Sequence, residues 1–189
     1  MPVRFLFAVS LALTCAPMPA ADGEAGRILR PAENSWHQVG PVDLVAKAES
    51  GKLQLDGAPI QAEQPFPSVF HTTLKVSPGL HSVVLTWEGG RKEVRFFAGA
   101  NPPAGYQAFH QHPPVLGVEC TQCHGPNTRK RFVFKGGCFD CHQQASFAKL
   151  HTHEPAVLEQ CGSCHSAHGS TAKAHLLYPK ETACKICHN

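Results

Sequence analysis

Four copies of one short pattern, C-x-x-C-H, constrain this chain more than any other feature of its sequence. They occupy residues 120–124, 138–142, 161–165 and 184–188. The pattern is typical of c-type haem attachment, in which two thiols bind the vinyl groups of one porphyrin and the next histidine binds its iron. We therefore expect four covalently attached haem c groups with their iron. The predicted thioether positions are Cys120, Cys123, Cys138, Cys141, Cys161, Cys164, Cys184 and Cys187, and the predicted proximal ligands are His124, His142, His165 and His188.

Paired cysteines also occur in zinc sites and in disulfide frameworks. Neither of these requires a histidine directly after the second cysteine of every pair. With 13 histidines among 189 residues, a position is histidine about one time in fifteen, so four coincidences have a probability on the order of 10⁻⁵. The repetition therefore favours haem over zinc or disulfides.

The first 21 residues have the features of a secretory signal peptide. Arg4 precedes an apolar run over residues 5–16, and small residues follow as far as Ala21. The run is too short to span a bilayer, and nothing later in the sequence approaches that length. Cys15, the ninth cysteine, lies inside this segment, so the remaining eight are all used by the four motifs. We predict an exported protein, periplasmic or outside the cell, without a membrane span.

Residues 22–104 have the texture of a small all-β domain. Residues 22 to about 35 lack periodicity and are predicted to be a leader, and residues 101–105 are predicted to be a linker. Between them, apolar and β-branched runs alternate with turn residues at 56–57, 77–79 and 88–90, which favours a small antiparallel sandwich. The runs predicted as strands are 42–45, 52–55, 71–76, 81–85 and 94–97. We expect His37, His71 and His81 to have structural roles in this domain.

The stretch from Leu53 to Leu85 resembles the small Ig-like β-domains of bacterial surface proteins, which implies an Ig-like sandwich. Residues 105–189 differ, because strand texture disappears and about 85 residues must hold four porphyrins. We therefore predict a haem-cored, mostly coil and short-helix domain after the sandwich.

This second part contains an internal repeat with an offset of 41 residues, which places His110 on His151, His112 on His153 and Cys120 on Cys161. Each half reads H-x-H-x-P or H-x-H-P-P, followed by two C-x-x-C-H motifs. The unit resembles the doubled CXXCH-motif family of multihaem cytochromes over residues from about 110 to 189. The resemblance implies distal iron ligands at His112 and His153, each shortly before a proline, and at His168 in a His-Gly-Ser sequence. The first half lacks that His-Gly-Ser, so we assign the remaining distal position to His151, with His110 and His175 in reserve.

The expected function follows from the axial ligands. Both methionines, Met1 and Met18, lie in the signal peptide, so histidine–methionine ligation is excluded and low-potential bis-histidine irons are expected. We predict an electron carrier with redox proteins as partners, rather than an enzyme. The alternatives are an oxidoreductase with one open haem, or a subunit of an extracellular cytochrome filament or complex joined through the β-domain. The basic cluster 129–131 is attributed to a solvated loop or to haem propionates, not to nucleic acid.

Overall fold

A computed structural model describes residues 25–112, 120–126, 132–135, 137–143, 161–183 and 185. Several predicted features lie outside these ranges. They are the signal peptide, the basic cluster 129–131, the distal candidates His151 and His153, and Cys184, Cys187 and His188 of the fourth motif.

The N-terminal part is a sandwich of two β-sheets. The first sheet has the order β1-β3-β7-β6 and consists of β1 (Gly26–Arg30), β3 (Pro41–Ala48), β6 (Glu63–Phe66) and β7 (Val69–Lys75). The second has the order β10-β2-β9-β8-β4-β5 and consists of β2 (Ser35–His37), β4 (Lys52–Leu55), β5 (Ala58–Ile60), β8 (Gly79–Trp87), β9 (Gly90–Ala98) and β10 (Gln107–Ala108). Neighbouring strands are antiparallel, except that β2 runs parallel to β9 and to β10.

The core of the sandwich consists of the inward-facing residues of both sheets. In β3, every second residue from Val42 to Ala48 is buried, as expected where one face of a strand packs inward. From the other sheet, Val83, Leu85 and Phe96 are fully buried in the same apolar cluster. Burying a side chain of this size stabilises the fold by about 1.5–3 kcal/mol, so these inward residues hold the two sheets together.

The structure confirms a small all-β domain followed by a coil and short-helix part. The five predicted strand runs overlap β3, β4, β7, β8 and β9, and the predicted turn residues at Asp56–Gly57 and Glu88–Gly89 lie between paired strands. Asp56 adopts a φ of 52° and Gly57 one of 82°, the left-handed conformation that tight hairpin turns require.

The leader prediction for residues 22 to about 35 is wrong. Gly26–Arg30 forms β1 and pairs with β3, and Ser35 begins β2. Arg30 is a charged residue at an inward position, which obscures the alternation that would otherwise indicate a strand. The sandwich sheet also extends past the predicted linker, since β10 at Gln107–Ala108 pairs with β2.

The C-terminal part contains only short elements in its described residues. They are a two-stranded ribbon of β11 (His124–Pro126) and β12 (Phe132–Phe134), helices α1 (Cys138–Cys141) and α2 (Lys180–Ala183), and 3-10 turns at Cys120–Gln122, Cys161–Ser163 and Lys173–His175. The two turns that begin at Cys120 and Cys161 lie 41 residues apart, as the internal repeat predicts. The buried apolar side chains of the described residues lie in the sandwich, from Pro31 to Ala98. None of the helices described is long and apolar enough to cross a bilayer.

Candidate haem-binding site

The backbone at each described motif is a single helical turn. The Cys164 and His165 amides both donate to the Cys161 carbonyl, at 3.1 and 2.9 Å, and the His142 amide donates to the Cys138 carbonyl at 2.8 Å. Residues three and four apart in a helical turn lie on the same face. The spacing C-x-x-C-H therefore presents two thiols and an imidazole to one side, which is the arrangement that a porphyrin and its iron require.

The thiols of different motifs lie close together. None of the six cysteines in the described ranges forms a disulfide. Burial, followed by the charge and hydrogen bond of Cys161, raises the pKa of the Cys138 thiol, with Cys123 as a further contributor. The first three motifs thus meet in one cluster. Within the described ranges, no group of three or more histidine, cysteine or acidic side chains is arranged to hold a metal ion by itself.

Two proximal histidines each face a histidine from outside the motifs. The rings of His124 and His168 have centroids 5.8 Å apart and planes inclined by 20°. The rings of His112 and His142 have centroids 5.9 Å apart and planes inclined by 18°. Two imidazoles that bind one metal from opposite sides, each through a nitrogen at about 2 Å, have centroids about 6 Å apart. In both pairs the rings are stacked, and each pair brings a motif imidazole and a second imidazole together at a separation that would suit one haem iron.

Hydrogen bonds to backbone carbonyls orient the rings within this cluster. His112 Nδ1 lies 3.2 Å from the Ala167 carbonyl, and His165 Nδ1 lies 2.8 Å from the Ala174 carbonyl. With the proton assigned to Nδ1, each of these nitrogens donates and Nε2 is left as the basic nitrogen. Metal-binding histidines are commonly held in this way by a carbonyl on the other ring nitrogen.

The surroundings of the paired histidines favour the neutral imidazole. Burial and the nearby Arg30 guanidinium lower the pKa of His168 to about 4. Burial also lowers the pKa of His124, although a hydrogen bond to the Val133 backbone acts in the opposite direction. A histidine must be deprotonated to bind a metal, so both side chains are in the required state at neutral pH.

Four large apolar side chains near the motifs are exposed, each with 39% to 49% of its surface accessible. They are Phe134, Phe139, Leu177 and Tyr178. Phe134 lies edge-on to His124, with ring centroids 5.6 Å apart. Apolar groups beside a porphyrin-binding motif suit a ligand that is itself a large apolar plate. The thiol and imidazole placement, the histidine separations and this exposed apolar surface all fit haem c.

The structure separates the candidate distal ligands. His112 lies beside His142, and His168 lies beside His124. His110 is exposed and instead forms a backbone bridge with Ser170, with amide-to-carbonyl distances of 2.9 and 3.1 Å. Reserve candidate His175 lies edge-on to His112, at 5.0 Å between centroids, and its Nδ1 is buried without a hydrogen-bond partner. Burial and His112 lower the pKa of His175. His165 is placed within its motif, and no distal partner for it is found in the described part of the chain.

Two residues beside this site have no signal in the sequence. Arg30, only 8% accessible, donates to the backbone carbonyls of His112 and His168 and forms an ion pair of 2.7 Å with Asp43. Both residues come from the sandwich, Arg30 at the end of β1 and Asp43 in β3. No local pattern connects them with histidines that lie at least 69 residues away, so only the folded chain could indicate their position. The histidines predicted to be structural have described contacts with sandwich side chains: His37 with Ser35 and Phe96, His71 with Asp43, and His81 with Asp56.

Comparison with known proteins gives one family match. The model of the doubled CXXCH motif matches residues 153–189, which contain the third and fourth motifs. No curated protein matches the chain.

The solved structures that resemble the chain are distant. They are an FMN-binding beta-glucuronidase from Facaelibacterium prausnitzii L2-6 (13% identity, 43% of this chain, 13% of that chain, TM-score 0.34), fibronectin(III)-like modules of Clostridium thermocellum CbhA (15% identity, 39% of this chain, 95% of those modules, TM-score 0.31) and a chimeric titin Z1Z2 tandem (17% identity, 39% and 45%, TM-score 0.26). The chain spans only a small part of the glucuronidase, and similarity at these TM-scores carries no argument about fold or function. The match to the doubled CXXCH motif over residues 153–189, together with the motif geometry, supports c-type haem binding with covalently attached haem c in the C-terminal part.

Proposed function

We propose that the chain is an exported tetrahaem c-type cytochrome that carries single electrons through bis-histidine haems. The observation that supports this most directly is the placement of His168 opposite His124 and of His112 opposite His142, at 5.8 and 5.9 Å between ring centroids. Each pair joins a motif histidine to a histidine outside the motifs. The same ligation is proposed for the haems of His165 and His188, with His151, His153 and His175 as the available imidazoles.

Haem c, when bound, supplies an iron centre that gains or loses one electron. The paired histidines would hold the iron and keep substrates away from it. Hydrogen bonds to backbone carbonyls would keep rings such as those of His112 and His165 in place in both redox states. The chain contains no methionine after residue 18 to replace a histidine, which favours low potentials. These properties suit electron transfer between redox proteins rather than catalysis.

Two further parts of the proposal concern partners and location. Electron donors and acceptors are proposed to be other redox proteins, and the sandwich is proposed to mediate association with a partner or with a second copy. Export is proposed from the charged, apolar and small-residue succession over residues 1–21.

Carbon monoxide binding and haem mass test the proposal together. The mature protein, produced with haem-attachment machinery, is expected to carry the mass of four haems and, when reduced, to bind no carbon monoxide. The matched control is His168→Ala, which is expected to bind about one equivalent at the haem of His124. Stoichiometric carbon monoxide binding by the unmodified protein would contradict closed irons and favour an oxidoreductase. A mass without haem would contradict the assignment entirely.

A further inference from the structure

Arg30 links the sandwich to both described axial pairs. Its Nε donates to the His168 carbonyl at 2.6 Å, and one terminal nitrogen donates to the His112 carbonyl. The other terminal nitrogen forms the 2.7 Å ion pair with Asp43 Oδ2. A guanidinium offers five N–H groups in a planar fork, so it can hold three acceptors in a defined relative position. Each of the three guanidinium nitrogens donates one hydrogen bond, and two of the acceptors are the backbone carbonyls of His112 and His168.

The carboxylate that balances Arg30 is itself held in place. Asp43 Oδ1 lies 2.8 Å from His71 Nε2. His71 belongs to β7, the strand that pairs with β3. Arg30 and Asp43 are therefore anchored in one sheet of the sandwich. A buried charge without partners is strongly unfavourable, so the guanidinium should stay with the acceptors that surround it.

The two distal histidines lie on adjacent segments that meet at this guanidinium. His112 follows β10 after only three intervening residues, and the Phe109 amide donates to the Trp36 carbonyl at 2.9 Å, so the sandwich directs this segment. The second segment pairs with the first through the bridge between His110 and Ser170. Arg30 donates to one backbone carbonyl in each segment, those of His112 and His168. One side chain of the sandwich therefore contacts the backbone of both histidines.

We propose that Arg30 is a positioning residue that holds the distal ligands His112 and His168 at two haems, which makes the β-sandwich part of the haem-binding site. The proposal rests on the axial pairs of the proposed function. Its second consequence concerns charge, because a fixed cation beside two irons favours their reduced forms and raises their midpoint potentials. Removing Arg30 should loosen both ligands and lower both potentials, whereas the haems of His165 and His188 should be unaffected.

The test compares variants of the holoprotein by electron paramagnetic resonance and by potentiometric titration. Arg30→Ala removes both bonds and charge, and Arg30→Lys keeps the charge but cannot reproduce the fork. The matched control is Arg91→Ala, because Arg91 is an exposed arginine of the same sandwich that pairs with Glu93 at 2.8 Å. His112→Ala and His168→Ala provide the reference spectra for loss of each ligand. Mass measures attached haem, and far-ultraviolet circular dichroism measures the β-sheet.

With Arg30→Ala, we expect full haem content, unchanged β-sheet signal, and high-spin or shifted signals at two haems that match the two reference spectra. Arg30→Lys should show those spectral changes, and Arg91→Ala should resemble the unmodified protein in spectrum and potential. If Arg30→Ala fails to fold, Arg30→Lys and Asp43→Asn take its place. Folded variants whose spectra and potentials equal those of the unmodified protein would overturn the positioning role alone. An unmodified protein without low-spin centres would overturn the proposed function as well.

Discussion

The pH dependence of stability should depend on His37, whose ring lies between two phenylalanines. Its centroid is 5.1 Å from that of Phe109, in a stacked arrangement, and 5.7 Å from that of Phe96, edge-on. Nε2 lies 2.9 Å from the Ser35 hydroxyl. Burial lowers the pKa of His37 from the usual 6.5 to about 4, because the aromatic surroundings cannot solvate an imidazolium.

The sign of the effect follows from proton uptake. Below pH 6.5 the unfolded chain protonates this histidine, while the folded chain keeps it neutral until about pH 4. The free energy of unfolding therefore falls as the pH drops through this window and is fully restored above pH 6.5. The full shift corresponds to a loss of roughly 2 kcal/mol between pH 7.5 and pH 5. Because the ring is only partly buried, solvent screening reduces this to about 1 kcal/mol.

Urea unfolding of the holoprotein, followed by far-ultraviolet circular dichroism, measures this difference. Carboxylates and haem propionates also titrate in the window, so the relevant quantity is the comparison with His37→Phe, which keeps an aromatic ring, and with His37→Gln, which keeps a polar group. Both variants should lose about 1 kcal/mol less than the unmodified protein between pH 7.5 and pH 5. Equal losses in all three proteins would refute the assignment of a buried, neutral His37.

Three further changes test the packing and the ligands. Phe96→Ala should lower the free energy of unfolding by about 3–5 kcal/mol, because Phe96 is fully buried between the sheets; a loss below about 1 kcal/mol would contradict that core. Gly169→Ala should cost about 1–3 kcal/mol and shift the electron paramagnetic resonance signal of one haem. Gly169 has a φ of +104°, and an added Cβ would lie 2.5 Å from the His110 carbonyl oxygen, so an unchanged spectrum and stability would argue against this contact. His112→Ala should open one iron to carbon monoxide, whereas His110→Ala should open none, and the reverse result would exchange their roles.

The parts of the fold that the sequence predicts are those specified by local patterns. Alternation along β3 indicates a strand because the side-chain period of a strand is two, and the run of β-branched and apolar residues in β8, with turn residues at Asp56 and Gly57, indicates another. β1 lacks such a local pattern. Its last residue, Arg30, is buried only because Asp43 and two carbonyls compensate its charge, and these partners lie far away in sequence.

The candidate site also has one part that local sequence patterns predict and one part that depends on the folded chain. The thiols and proximal histidines follow from the C-x-x-C-H spacing, since one helical turn places them on one face. The histidines that could serve as distal ligands could be named, but which motif each one faces depends on tertiary structure. His168 lies three residues after His165 yet faces His124, from the first motif, and His112 precedes the first motif yet faces His142 of the second. No local pattern encodes this exchange between motifs.

The most direct test of the central claim is low-temperature electron paramagnetic resonance of the oxidised, mature holoprotein, after its mass has established the number of attached haems. Closed bis-histidine ligation predicts low-spin signals that account for four haems, with no high-spin signal. A high-spin component equivalent to about one haem would contradict the electron-carrier account, because an iron with an open position can bind and transform a substrate.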